Sequence, residues 1–285
     1  MKLLLILAFS FLVIGCATQG IVDGTVPSSS DTTAAVVPAD QQMTRDQYLA
    51  LATKSTCANT EFASQGKPSK RVGYLKGMAL TYGKTVCNPT GDTYKVASQP
   101  IGNSNIDAFA VYGLSLPTAE NRLNTAFALA IGSAARESSW RWFCGKDAAA
   151  SNTTSSTAEA GLHQSSYNSR YNRDGETINA SRDKLYKYFK ADKSRCFAKE
   201  YKDIGLTADA ANLKNWGTGE GVIFQELSKQ CPGFAVEYHL MGMRERVTHY
   251  GPLKGQRAEL KPACTALFVD LNKAIKANPS LCGKL

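Results

Sequence analysis

The chain has 285 residues, 43% of them hydrophobic, with a net charge of +9 at pH 7 and eight cysteines. That composition supports an ordinary globular core in one large domain or two small ones. No CxxC pair, HExxH or G-x-S-x-G elbow occurs, and the basic residues are scattered without a nucleic-acid motif, so metal, serine-nucleophile and nucleic-acid chemistry are set aside and no cofactor is expected.

The N-terminus reads as a processing segment. Lys2 precedes an apolar run from Leu3 to Gly15, too short for a permanent span and suited to a signal peptide over 1–15. Val13-Ile14-Gly15-Cys16 is similar to the lipobox of bacterial lipoproteins, which makes Cys16 the expected lipidation site and the membrane a partner through that anchor. The alternative is ordinary cleavage nearby, after Ala17, giving a secreted soluble protein. Residues 16–42 are rich in Ser, Thr, Ala, Pro and Asp without apolar periodicity, which predicts a flexible linker spanning about 25–30 Å as a coil. Residues 43–285 then form one domain, expected as a monomer.

Within that domain the spacing of Leu123, Phe127, Ala130, Ile131 and Ala134 predicts a core helix from about Thr118, ending on Glu137. Glu137 falls in line with Ala126, Ala130 and Ala134, at the rim of the apolar stripe. A carboxylate gains nothing from a helix C-terminus. Partial burial there raises its proton affinity, so that it can act as an acid near neutral pH. Helical periodicity fails between Gly145 and Asn168 and resumes over 181–192, 221–230, 234–250 and 259–276, with Cys231-Pro232-Gly233 and Gly251-Pro252 as breaks. Lys184, Lys187, Lys190 and Lys193 read as a solvated face. The fold class is therefore mainly α.

The cysteines of an exported chain imply disulfides. With Cys16 lipidated, Cys57, Cys87, Cys144, Cys196, Cys231, Cys264 and Cys282 are an odd set, so at least one stays free or pairs between chains.

Arg136-Glu137-Ser138 followed by Gly161-Leu162-His163-Gln164 resembles the paired signature of goose-type lysozymes and soluble lytic transglycosylases, enzymes of the lysozyme-like superfamily that cut peptidoglycan. RVGYLKGMALTY (71–82), AEAGLHQSSYN (158–168) and HYGP (249–252) resemble exported bacterial lysozyme-like proteins, and the likeness spans roughly Cys57 to Leu271. His163 departs from it, standing where Met or Phe is usual. The resemblance implies an α+β lysozyme-like domain with the catalytic Glu at a helix end and a small β-ribbon or long loop over the cleft. It implies peptidoglycan strands as partner and Glu137 as general acid.

Glycoside hydrolysis usually adds a second carboxylate, for which Glu159 and Asp147 are the candidates. If neither serves, the chemistry is that of a lytic transglycosylase, which needs one acid and leaves 1,6-anhydro ends. Ser138, Gln164, Tyr167 and Asn168 are candidate substrate contacts, with Ser166 beside them, and Tyr250 corresponds to a late tyrosine near the acid. Trp140, Trp142, Trp216 and Tyr238 are candidate stacking rings, though core is the commoner use of such residues. His163 and His249 read as satisfied structural histidines. A noncatalytic wall-binding lipoprotein is the rival from another class.

Overall fold

The computed structural model describes residues 42–63, 65–146, 150–203 and 206–285. The expected leader, Cys16 and the linker up to residue 41 lie outside the described residues, as does Asp147. The described chain is mainly helical. It runs through α1 (Arg45–Lys54), α2 (Thr56–Asn59), α3 (Val72–Val86), α4 (Asp92–Ser98), α5 (Ala108–Val111) and α6 (Ala119–Ser138). It continues with α7 (Ala180–Ala191), α8 (Ala198–Tyr201), α9 (Ala210–Leu213), α10 (Glu220–Gln230), α11 (Pro232–Glu245), α12 (Gly251–Lys254) and α13 (Pro262–Ala277).

Helix α6 is the axis of the fold. Thr118 caps it by accepting the Asn121 amide, and every residue from Leu123 to Ala135 is buried. A helix buried on all sides needs neighbours on all sides; α4, α11, α12 and α13 supply them. Gly132 permits the closest approach, since a Cβ there would stand 2.1 Å from the Glu259 carbonyl oxygen. Helix α11 divides the core. Ala235, Val236, Leu240 and Met243 join the main cluster around α3, α6 and α13, while Phe234, Tyr238 and Met241 pack with Tyr186, Phe189 and Phe224 of α7 and α10.

Three disulfides fasten this arrangement: Cys57–Cys264 joins α2 to α13, Cys87–Cys282 joins the end of α3 to the C-terminal turn, and Cys196–Cys231 closes the loop before α8 onto the start of α11. Cys144 is the buried thiol left over, in keeping with the odd count. The lysine face of α7 is solvated and paired at the surface, Lys184 with Asp92, Lys187 with Asp183 and Lys190 with Glu220.

One expectation needs correction. The helix expected over 234–250 ends at Glu245, because the Val247 amide leaves the helical ladder to bond the Ile106 carbonyl at 3.0 Å. Of the two forms expected for 145–168, a small ribbon or a long loop, the described residues take the loop, with one antiparallel bridge, Ala160 to Ser165. No helix among the described residues is long and apolar enough to cross a membrane.

Candidate active site

Glu137 lies in the last turn of α6, half-buried, where the chain reverses sharply. Ser139 and Trp140 follow with φ of 51° and 59°, left-handed values that cost non-glycine residues roughly 1–3 kcal/mol each. The surroundings impose this geometry. The Trp140 amide bonds the Ala134 carbonyl and its indole N–H donates to the Ile131 carbonyl, both at 3.1–3.2 Å, while the ring packs edge-on against Phe62 and beside Tyr74. The Ser139 hydroxyl bonds Gln65. A buried tryptophan thus acts as the stop that fixes the end of α6.

No donor among the described residues bonds the Glu137 carboxylate. Burial pushes its pKa up to about 8; the negative charge of Glu159 adds to the rise, and Arg257 and Arg136 work against it. The acid is therefore protonated at neutral pH.

Glu159 is brought to this point by a tight turn. Ala160 and Ser165 exchange backbone hydrogen bonds at 3.0 and 3.2 Å, and the Gly161 amide donates to the Cys144 carbonyl at 2.7 Å. Gly161 is required twice over: its φ is +79°, and a Cβ would stand 2.3 Å from the Ser228 carbonyl oxygen of α10. Leu162 plugs the main core beneath the turn. Glu159 stands half-exposed between the buried Ala158 and Ala160.

His163 and Tyr250 belong to a buried polar seam between this turn and α11. His163 stacks face to face on His239, ring centroids 3.9 Å apart and 3° from parallel, and neither ring has a hydrogen-bond partner among the described residues on either nitrogen. Tyr250 stands edge-on to His239 at 4.8 Å, its hydroxyl against Gly242 and near the Ser165 and Ser169 hydroxyls without a well-formed bond. His249 is satisfied, at 2.9 Å from the Ser166 hydroxyl. The reading of His163 as a satisfied histidine does not hold: the imidazole serves as a flat, neutral ring in the place of an apolar one. Burial holds His163 well below the usual histidine range and lowers His239 to about 3. Burial, with Arg246 and Arg182 nearby, lowers His249 to about 4.

The other candidates are placed as follows. The Ser138 hydroxyl is buried and bonds the Ala134 carbonyl of its own helix. Gln164, left-handed at φ 46°, turns its amide back onto the Gly161 carbonyl at 3.0 Å. Asn168 accepts from the Ser166 hydroxyl at 2.7 Å. Tyr167 packs with Tyr186 and Phe224 under the Arg170 guanidinium, in the second core and not against Glu137. Tyr250 is core, not cleft surface, and stands at the start of α12 instead of on a long helix. Trp140 and Tyr238 are core, and Trp142 packs against the main core. Trp216 is half-buried, with Lys214 and Lys146 over its ring at 4.3 and 5.2 Å. Periodicity alone could not single out His239, which sits among the apolar residues of α11, or Arg257, whose influence on Glu137 depends on a contact between distant segments.

Two surface depressions, one lined by Arg45, Lys193, Phe197 and Glu226 and the other by Gln47, Leu51, Ala266 and Asp270, lie apart from Glu137. The chemistry is argued from Glu137 and its neighbours because volume alone does not supply a reactive group. Comparison of the chain with protein-family models, curated proteins and solved structures found no match in any of the three.

Proposed function

We propose that the protein cleaves the β-1,4 glycosidic bond of peptidoglycan strands between N-acetylmuramic acid, or a deacetylated form, and N-acetylglucosamine. The observation that carries this reading is Glu137: a desolvated carboxyl at a fixed helix end, holding its proton to about pH 8 beside a second carboxylate. The proton passes from Glu137 to the bridging oxygen as the C1–O bond breaks and positive charge develops on the ring. Glu159 answers that charge and takes a proton from the water that adds to C1, while its own negative charge keeps the proton on Glu137 between turnovers. The turn from Ala158 to Ser165 is thus the wall of the cleft, and the buried seam behind it is its support. The Cys16 anchor and linker would hold the domain on an outer membrane facing the periplasm, within reach of the wall.

Glu137→Gln preserves the shape and removes the proton, so turbidity clearing of purified sacculi should fall by about a thousandfold near pH 7 with no loss of melting temperature. Activity within about tenfold of wild type would reject the assignment. Mass spectrometry of the released muropeptides decides the chemistry. Reducing ends lost with Glu159→Gln support hydrolysis. 1,6-Anhydro ends that survive Glu159→Gln identify a lytic transglycosylase working with one acid. Retention on sacculi without any cleavage leaves a wall-binding protein.

A further inference from the structure

Arg257 is built into the chain with unusual care for an exposed residue. Its amide and that of Ala258 both donate to the Pro252 carbonyl, at 2.7 and 3.0 Å. On either side the backbone is locked: Gln256 is left-handed at φ 52° with its side chain on the Val111 carbonyl at 2.7 Å, and the Tyr112 hydroxyl holds the Ala258 carbonyl at 2.6 Å. Two residues further on, the Glu259 backbone rests on α6 at Gly132. Helical rise carries the chain only about 7.5 Å from Gly132 to Glu137. The guanidinium lies across Gly251 and Gly255 of the α12 turn, each of which would bring a Cβ to 3.4 Å from it. That turn begins on the glycine of the HYG tripeptide.

No carboxylate among the described residues pairs with Arg257. Glu259, the nearest in sequence, is occupied by Lys261 and by the Ala63 amide. Buried arginines elsewhere have acceptors, Arg244 on Asp107 and Arg170 on Asp183, and the partly buried Arg195 has Glu237. The Arg257 charge also acts on Glu137 in the unhelpful direction, easing loss of the proton that the acid must keep. A cation held there, opposing the acid and paired with no carboxylate among the described residues, has its use when an anion arrives with the substrate.

We propose that Arg257 is a specificity-determining residue that binds a carboxylate of the glycan substrate beside the bond that Glu137 protonates. This rests on the reading of Glu137 as a glycan-cleaving acid. Peptidoglycan offers the required chemistry in two places, the carboxylates of the stem peptides and the lactyl carboxylate of muramic acid once the stem is removed. Bidentate pairing with a guanidinium favours a carboxylate over the neutral hydroxyls and acetamides of a plain amino-sugar polymer. Binding of that anion would also neutralise Arg257 and strengthen the hold of Glu137 on its proton in the complex, so substrate arrival tunes the acid.

The test compares wild type, Arg257→Gln and Arg257→Lys on three preparations of one set of strands: stem-bearing, stem-bearing with carboxylates converted to neutral methylamides, and stripped of stems. On stem-bearing strands Arg257→Gln should raise KM about tenfold with kcat within about threefold, and Arg257→Lys should recover part of the loss. The defect should vanish on the methylamidated strands. A defect confined to stem-bearing strands identifies the stem carboxylates as the ligand, a defect confined to stripped strands identifies the lactyl carboxylate, and a defect on both shows that either is taken. Arg257→Gln should also move the alkaline limb of kcat/KM upward, which a role in packing alone would not do. An equal defect on methylamidated strands, or an unchanged KM on both stem-bearing and stripped strands, overturns the proposal. If wild type cleaves none of the strands, the cleavage reading fails, and co-sedimentation of wild type and Arg257→Gln with the same preparations decides for Arg257. Carboxylate-dependent retention lost in the variant upholds it, and equal retention overturns it.

Discussion

Two carboxyl groups of this protein are withdrawn from water in opposite ways. Asp107, fully buried at the start of α5, receives the Phe109 amide at 2.9 Å, the Gly102 amide at 2.8 Å and two guanidinium nitrogens of Arg244 at 2.9 Å each. Arg244 in turn reaches the Ala97, Gln99 and Pro100 carbonyls and lies 4.0 Å above the Phe109 ring. Glu137, at the end of α6, has no donor among the described residues and faces another carboxylate. A desolvated charge whose partners are all in place acts as a rivet. A desolvated carboxyl without partners keeps its proton and can give it away. Burial is common to both, and the hydrogen-bond inventory separates structure from chemistry.

The sharpest way to break this contrast is to remove the rivet. Asp107→Ala leaves Arg244 buried and uncompensated, and should cost about 3–5 kcal/mol, read as a drop of roughly 10 °C or more in the melting temperature. A loss below about 1 kcal/mol would mean that the network around Asp107 does not hold α4, α5 and α11 together.

The next effect concerns the histidine seam, which depends on neutrality as Asp107 depends on charge. His163, His239 and His249 all have folded pKa values below the unfolded one, so the stability they contribute is complete above about pH 6.5. It is lost as the pH falls from there through about 4 and 3, because the unfolded chain binds the protons first. The charged groups facing the seam, Arg182 and Arg246, add repulsion. His163→Met removes one titrating ring and should make the acid limb of stability shallower by about 1.4 kcal/mol per pH unit, measured by urea denaturation from pH 7 to 4. An acid limb identical to wild type would sink this account.

The smallest effect is on Glu137 itself and has the opposite sign. Its folded pKa is raised, so the folded state binds the extra proton between about pH 4.5 and 8 and loses stability as the pH rises through that window. Glu137→Gln should therefore be more stable than wild type at pH 9, by up to roughly 2–4 kcal/mol, with the advantage fading below pH 5. A variant less stable than wild type at pH 9 would show that Glu137 has stabilising partners and is a second rivet.

Local physics made much of this legible. The helix that ends at Glu137 follows from the spacing of Leu123, Phe127 and Ala134, and its start from the Thr118 cap, because both depend on residues within a turn or two. The turn at Gly161 was visible as a break in periodicity. The end of α11 was not, because a single amide, Val247 N–H, found a better acceptor on Ile106. The cleft candidates Ser138 and Tyr250 were placed by motif alone, and packing took both into the interior.

Local pattern and residue counts specify a mainly helical domain, a carboxyl at the end of its central helix and an odd number of domain cysteines. Each of these is a property of neighbours along the chain or of a count. Only the tertiary structure decided which cysteines pair, across separations as large as 207 residues. It also decided that His163 stacks on His239, that the Arg257 charge acts on Glu137, and that Glu137 is poorly solvated with no donor bonded to it among the described residues. Desolvation and charge–charge interaction are sums over atoms close in space, and those atoms come from segments that the sequence keeps far apart.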